Sequence, residues 1–167
     1  NLYDCFLRSI NTLRDERHRF VILNRFGVGC SPKTLEEIGV SLKITRERVR
    51  QIQKKVTQEI TDGEYWDDSL KFKILRKFND RDKAIILEEI VEDDSWFVDF
   101  SDQIELLKRI IDHFSNLDLH IFTVDEQTVI SRISEEQWQQ CKSEVLEFLE
   151  HSLEMNYSFE DVELIIE

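Results

Sequence analysis

After Gly63 the chain has neither glycine nor proline: Gly27, Gly29, Gly39, Gly63 and the single proline, Pro32, all lie in its first 63 residues. A stretch as long as 64–167 without either excludes a glycine-rich phosphate cradle there and favours helices joined by polar turns. Cysteine is scarce as well. Cys5, Cys30 and Cys141 are odd in number and far apart, which excludes a CxxC metal pair or a disulfide framework and fits a reducing cytoplasm. No apolar run approaches the roughly 18 residues of a membrane helix, and the N-terminus has no signal-peptide pattern. The expected location is the cytoplasm, with no membrane partner. HExxH, GxSxG and EF-hand spacings are missing. His113, His120 and His151 stand singly and read as surface or core histidines. Glu92, Asp93 and Asp94, with Asp99 and Asp102 nearby, read as a solvated acidic loop rather than a cation site. No enzymatic activity, metal or cofactor is expected. Asn1 rather than Met opens the chain, as expected of a segment of a longer protein.

What is present is a charge asymmetry. The whole chain has a formal net charge of -13. Residues 1–60 hold 12 Lys and Arg against 7 Asp and Glu, a net of +5; residues 61–167 hold 10 against 28, a net of -18. Two parts with different partners are implied. The basic part suits phosphates, whereas the acidic part would repel them. The hydrophobic content of 41% suffices for a folded core. The sign of charge and the last glycine change together near Thr61–Asp68. The expected domains are therefore 1–62, basic, and 63–167, acidic and mostly helical.

Within the basic part, Asp15 caps a predicted helix from Glu16 to about Phe26, with Gly27 as its stop. Thr34 opens a short helix, and Glu37 three residues later completes a capping box. Gly39 permits close helix packing. Ser41–Ile44 form the turn, and Thr45 caps a helix to about Ile60. At ~100° per residue, Val49, Ile52, Val56 and Ile60 of that helix form one buried stripe. Arg46, Glu47, Arg50, Gln51, Lys54 and Gln58 fall on the opposite side. Helix, tight turn and Arg-rich helix is the layout of a DNA-reading helix-turn-helix. Arg suits guanine, Gln adenine, and Glu the cytosine amino group. Arg46, Glu47, Arg50 and Gln51, nearest the helix start, are the candidate base readers. Arg48, Lys54 and Lys55 flank them as candidate phosphate contacts. Arg19 and Arg25, on the first helix, read equally as plain solvated surface.

The segments RFGV, TLEEIG and ITRERVRQI resemble region four of the bacterial primary sigma factors, the helix-turn-helix that reads a promoter element. The resemblance covers about residues 12–60, roughly a third of the chain. It implies base reading by Arg46, Glu47, Arg50 and Gln51, and backbone contacts by Thr34, Arg48 and Lys54; Thr45 and Lys55 complete the candidate backbone set. Double-stranded DNA is the implied partner, with RNA polymerase or another protein as the partner of residues 63–167. Gln53 stands where the family usually has an acidic residue, and His18 and Phe20 where it is usually charged or small.

The acidic part predicts helices over Lys71–Phe78 and Lys83–Val91, with Phe72, Leu75 and Phe78, then Ile86, Leu87 and Ile90, turned inward. Ser101 or Asp102 caps a helix to about Phe114 along the stripe Ile104, Leu107, Ile110, Ile111 and Phe114. His120–Val124 and Thr128–Ile133 form a candidate β-hairpin around Asp125-Glu126. Ser134 and Gln137 box a long helix to about Leu153, with Trp138, Cys141, Val145, Leu149 and Leu153 on one face. Ser158 caps a final helix. The expected fold class is mainly α: a helix-turn-helix bundle followed by an acidic helical domain. The expected function is a sequence-specific DNA-binding module of transcription, with a C-terminal protein-interaction domain. Two alternatives stand beside it. The chain is the DNA-targeting part of a larger nucleic-acid enzyme or defence protein, or the acidic domain is an autoinhibitory DNA mimic.

Overall fold

Asp15, Thr34 and Thr45 each open a helix because a short side-chain oxygen accepts an otherwise unpaired backbone N–H of the first turn. Asp15 accepts from Arg17, Thr34 from Glu37 and Thr45 from Arg48. The computed structural model describes residues 1–79 and 84–154. Its helices over the basic part are α1 (Leu2–Thr12), α2 (Glu16–Phe26), α3 (Leu35–Leu42) and α4 (Arg46–Thr61). Further on lie α5 (Ser69–Asn79), β1 (Ile85–Ile86), α6 (Leu87–Asp93), a 3-10 turn at Val98–Phe100, α7 (Ile104–Phe114), β2 (His120–Val124), β3 (Gln127–Ser131) and α8 (Glu135–Glu154). The mainly helical fold class is as expected. The predicted helix capped by Ser158 lies outside the described residues.

The chain forms two compact units, Asn1–Ser131 and Arg132–Glu167. The expected break at 62/63 thus falls inside the first unit. The physical reason is one hydrophobic core that draws on both sides of Gly63. Phe114 of α7 packs 5.6 Å from Phe26 of α2, 5.8 Å from Phe6 of α1 and 4.6 Å from Trp66, measured between ring centroids. All but Trp66 are buried. Charge changes sign near Gly63, but apolar packing does not stop there.

α1 lies upstream of the first predicted helix. Leu2, Phe6, Ile10 and Leu13 are all buried, at spacings of three and four that make one helical face. Residues 84–91 differ from expectation. Ile85 and Ile86 are extended and pair antiparallel with Ile130 and Val129, so the helix begins only at Leu87. Two β-branched residues gain a ladder there that a helix would forgo. β3 is the central strand, ordered β1-β3-β2. The predicted hairpin forms, with Phe122 opposite Val129 and Val124 opposite Gln127. Asp125 (φ 47°) and Glu126 (φ 70°) both adopt the left-handed turn conformation that suits a two-residue hairpin.

On α5, Phe72 is 70% exposed, contrary to expectation, while Leu70, Ile74 and Phe78 are buried. The buried face is rotated one residue from the predicted one. α7 buries Leu106 besides Leu107, Ile110, Ile111 and Phe114, and Gln103 rather than Ser101 or Asp102 precedes it, without a side-chain cap. In the second unit, Ser134 and Gln137 form the predicted reciprocal bonds at 2.9 and 3.2 Å. Cys141, Val145 and Leu149 of α8 are exposed, so the predicted face there is not a buried one.

Candidate nucleic-acid interface

The junction between α3 and α4 is fixed by backbone geometry. α3 ends on Lys43, which takes a left-handed φ of 57° and donates to the carbonyls of Gly39 and Val40. The Ile44 N–H donates to Gly39 O at 3.0 Å. This brings the chain so close that a Cβ on Gly39 would sit 2.8 Å from the Ile44 carbonyl oxygen. Backbone cannot yield as a flexible side-chain tip does. Gly39→Ala should therefore destabilise the fold by about 1–3 kcal/mol, the usual cost of overpacking, read as a lower midpoint in thermal unfolding.

The capping box at α3 is closed. Glu37 Oε2 accepts from the Thr34 N–H at 2.7 Å and from its hydroxyl at 2.8 Å. Those bonds hold the Glu37 carboxyl below its ordinary pKa, the backbone N–H contributing most. Thr34 and Thr45 are exposed, yet both hydroxyls accept a helix N–H. Their primary role is to set the helix starts. α3 packs on α4, and Ile38, Val49 and Ile52 are buried, while the opposite side of α4 is exposed.

That open side carries the predicted base readers together. Arg46, Glu47, Arg50 and Gln51 are all exposed. Arg50 forks onto Glu47 through Nε and Nη2, both at 2.8 Å. Gln51 Nε2 donates to Glu47 at 3.4 Å, and Arg48 Nη1 donates to Gln51 Oε1 at 3.1 Å. The Arg50 hydrogen bond is the main reason the Glu47 carboxyl titrates below its ordinary value. Glu47 is therefore an acceptor, suited to an amino group in the groove. Arg46 has no ion pair among the described residues. Lys55 reaches Glu59 at 3.5 Å, and Lys54 is exposed. Exposed pairs such as these contribute little to stability, so bases and phosphates can replace them cheaply.

Sequence reasoning missed the latch behind this face. Arg25 is half-buried, not solvated. Its Nε donates to Gln53 Oε1 at 3.2 Å and its Nη1 to the Lys33 carbonyl at 2.6 Å, tying α2, the loop and α4 together. His18 bridges Asp15 at 3.6 Å and Glu59 at 3.2 Å. The acidic stretch is tied down rather than freely solvated. Lys73 and Lys77 of α5 reach Asp94 and Asp93 at 2.7 and 3.2 Å. Burial pushes the Asp94 carboxyl up, but the Lys73 hydrogen bond and the Trp96 N–H outweigh it and hold it low. Among the described residues no three His, Cys, Asp or Glu converge as a metal site. No described helix is long and apolar enough to cross a membrane.

Residues 15–60 match the family model for Sigma-70, region 4. The chain is similar to RNA polymerase sigma factor RpoS of Coxiella burnetii, 51% identical over 47 residues, covering 28% of this chain and 13% of that protein. It is also similar to RNA polymerase sigma factor RpoD of Helicobacter pylori, 41% identical over 61 residues, covering 35% of this chain and 9% of that protein. The chain thus spans only a small part of the length of these relatives. Residues 15–60, which span α2, α3 and nearly all of α4, are thus similar to region 4 of the Sigma-70 factors.

Proposed function

We propose that this chain binds duplex DNA in a sequence-dependent manner as a module of transcription. α4 enters the major groove, with Arg46, Glu47, Arg50 and Gln51 at base edges. Arg48, Lys54 and Lys55 hold the phosphates beside it, with Thr34 and Thr45 at the two helix starts adding contacts to the backbone. The observation that carries this reading is the open outer face of α4, polar throughout and presented by a tightly closed turn. Residues 63–167 serve a protein partner, with RNA polymerase the first to test. Exposed Phe72 and Val98 support contact with a protein.

Salt titration tests the phosphate contacts. Binding of the full chain to a duplex should weaken as salt rises, and Lys54→Ala should weaken it equally on all sequences. The logarithmic salt slope should shrink by about 0.9 for that one lost contact. A Lys54→Ala slope identical to the parent's would remove Lys54 from the interface.

A further inference from the structure

Two helices outside the helix-turn-helix expose apolar side chains between charges of opposite sign. α5 carries Lys71, Lys73, Arg76 and Lys77 and no acidic residue, although it lies in the part of the chain with a net charge of -18. Asp94 and Asp93 engage Lys73 and Lys77. Lys71 and Arg76 are exposed and have no ion pair among the described residues. With Phe72 set at zero and ~100° per residue, buried Leu70, Ile74 and Phe78 centre near 200°. Arg76 falls at about 40° and Lys71 at about -100°. Phe72, 70% exposed, therefore stands in the middle of the outer face with a cation on each side.

α8 has the opposite charge. It carries six Glu against Lys142 as its only Lys or Arg. Val145, Leu146 and Leu149 are 51%, 50% and 38% exposed, and Cys141 is exposed too. With Val145 set at zero, Cys141, Leu149 and Leu146 lie at about -40°, 40° and 100°, which makes one apolar face. Exposed Glu144 and Glu150 border it at about -100° and 140°. Among the described residues neither has an ion pair. Apolar side chains gathered on one exposed face mark a contact surface, whereas scattered ones do not.

Charge selects the occupant. Two α8 faces set together would oppose carboxylates, and two α5 faces would oppose cations; like charges facing each other across an interface are costly. α5 and α8 match in sign and in apolar character, and every copy of the chain carries both. We infer that the chain self-associates, with α5 of one copy seated on α8 of a second. Phe72 packs on the Val145–Leu149 face, and Lys71 and Arg76 meet its acidic borders. An aromatic anchor ringed by charge is the usual energetic centre of such a contact. The contact lies outside residues 15–60 and holds whether or not the chain reads DNA.

Sedimentation of the full chain tests it. At low salt the average mass should climb above that of one chain as concentration rises, and added salt should reverse the climb. Phe72→Ala should weaken association about tenfold or more. Two charge-reversed chains decide the pairing: Lys71→Glu with Arg76→Glu, and Glu144→Lys with Glu150→Lys. Each alone sets like charges together and should stay single. Mixed in equal amounts they should associate, because every α5 then finds an α8 of opposite sign. All five positions are exposed, so the unfolding midpoint of the dilute chain should hardly move, which separates lost association from lost fold. A parent chain that stays single up to about 200 μM, ample for the weakest specific interfaces, overturns the inference. Association left at parental strength by Phe72→Ala overturns it as well, and so does a mixture of the two reversed chains that fails to associate.

Discussion

Phe114→Ala should lower the stability of the folded chain by about 3–5 kcal/mol, the range for emptying a large aromatic site in a core. Phe114 is 5% exposed and meets Phe6, Phe26 and Trp66 at centroid distances of 5.8, 5.6 and 4.6 Å. Its loss leaves a cavity under α1 and α2 at once, and the helix-turn-helix rests on those helices. Denaturant unfolding followed by tryptophan fluorescence measures the change. The midpoint should fall, with α4 unfolding in the same transition as α7. Phe72→Ala is the control: at 70% exposure it should change stability by no more than ~0.5 kcal/mol. A loss below about 1 kcal/mol at Phe114 would mean that the basic and acidic parts fold separately after all.

The same aromatic cluster bears on how the acidic part is tested. A chain ending near Gly63 would lack Trp66 and Phe114 and would leave Phe6 and Phe26 facing water. Point substitutions in the whole chain are therefore cleaner than truncation.

Residues 15–60 were the most legible part of the sequence because their signals are local. Asp15, Thr34 and Thr45 cap helices, Gly27 takes a φ of 78° at the end of α2, and Glu37 closes its box, each acting on backbone within a few residues of itself. The α4 stripe of Val49, Ile52, Val56 and Ile60 follows from periodicity, and all four are buried. The hairpin was legible for the same reason. Features set by distant partners were not. Nothing near Ile85 and Ile86 announces a strand; Val129 and Ile130 make it one. Nothing near Phe72 shows that Leu70 and Ile74 take the core instead. Arg25 reads from the sequence equally as a DNA contact or as solvated surface, because its partners Gln53 and Lys33 lie 28 and 8 residues away. Charge misplaced the boundary because the sign of surface residues says little about where apolar side chains meet.

The second large effect concerns selectivity. Arg46→Ala should reduce discrimination at one base pair by about 1–3 kcal/mol, while binding to unrelated duplexes falls far less. Arg46 is the sharpest probe because no ion pair among the described residues engages it. Arg50 is held by Glu47 through two bonds, so altering either residue also changes the other. Competition between the preferred duplex and single-base variants of it, at fixed salt, measures the effect. Equal discrimination by parent and Arg46→Ala would remove Arg46 from base reading.

Base reading by the open face of α4 is tested by selecting bound duplexes from a random pool with the full chain, and repeating the selection with Arg46→Ala. One short motif should be enriched by the parent, with at least one of its positions relaxed by the variant. A parent pool that stays random after repeated rounds would contradict it.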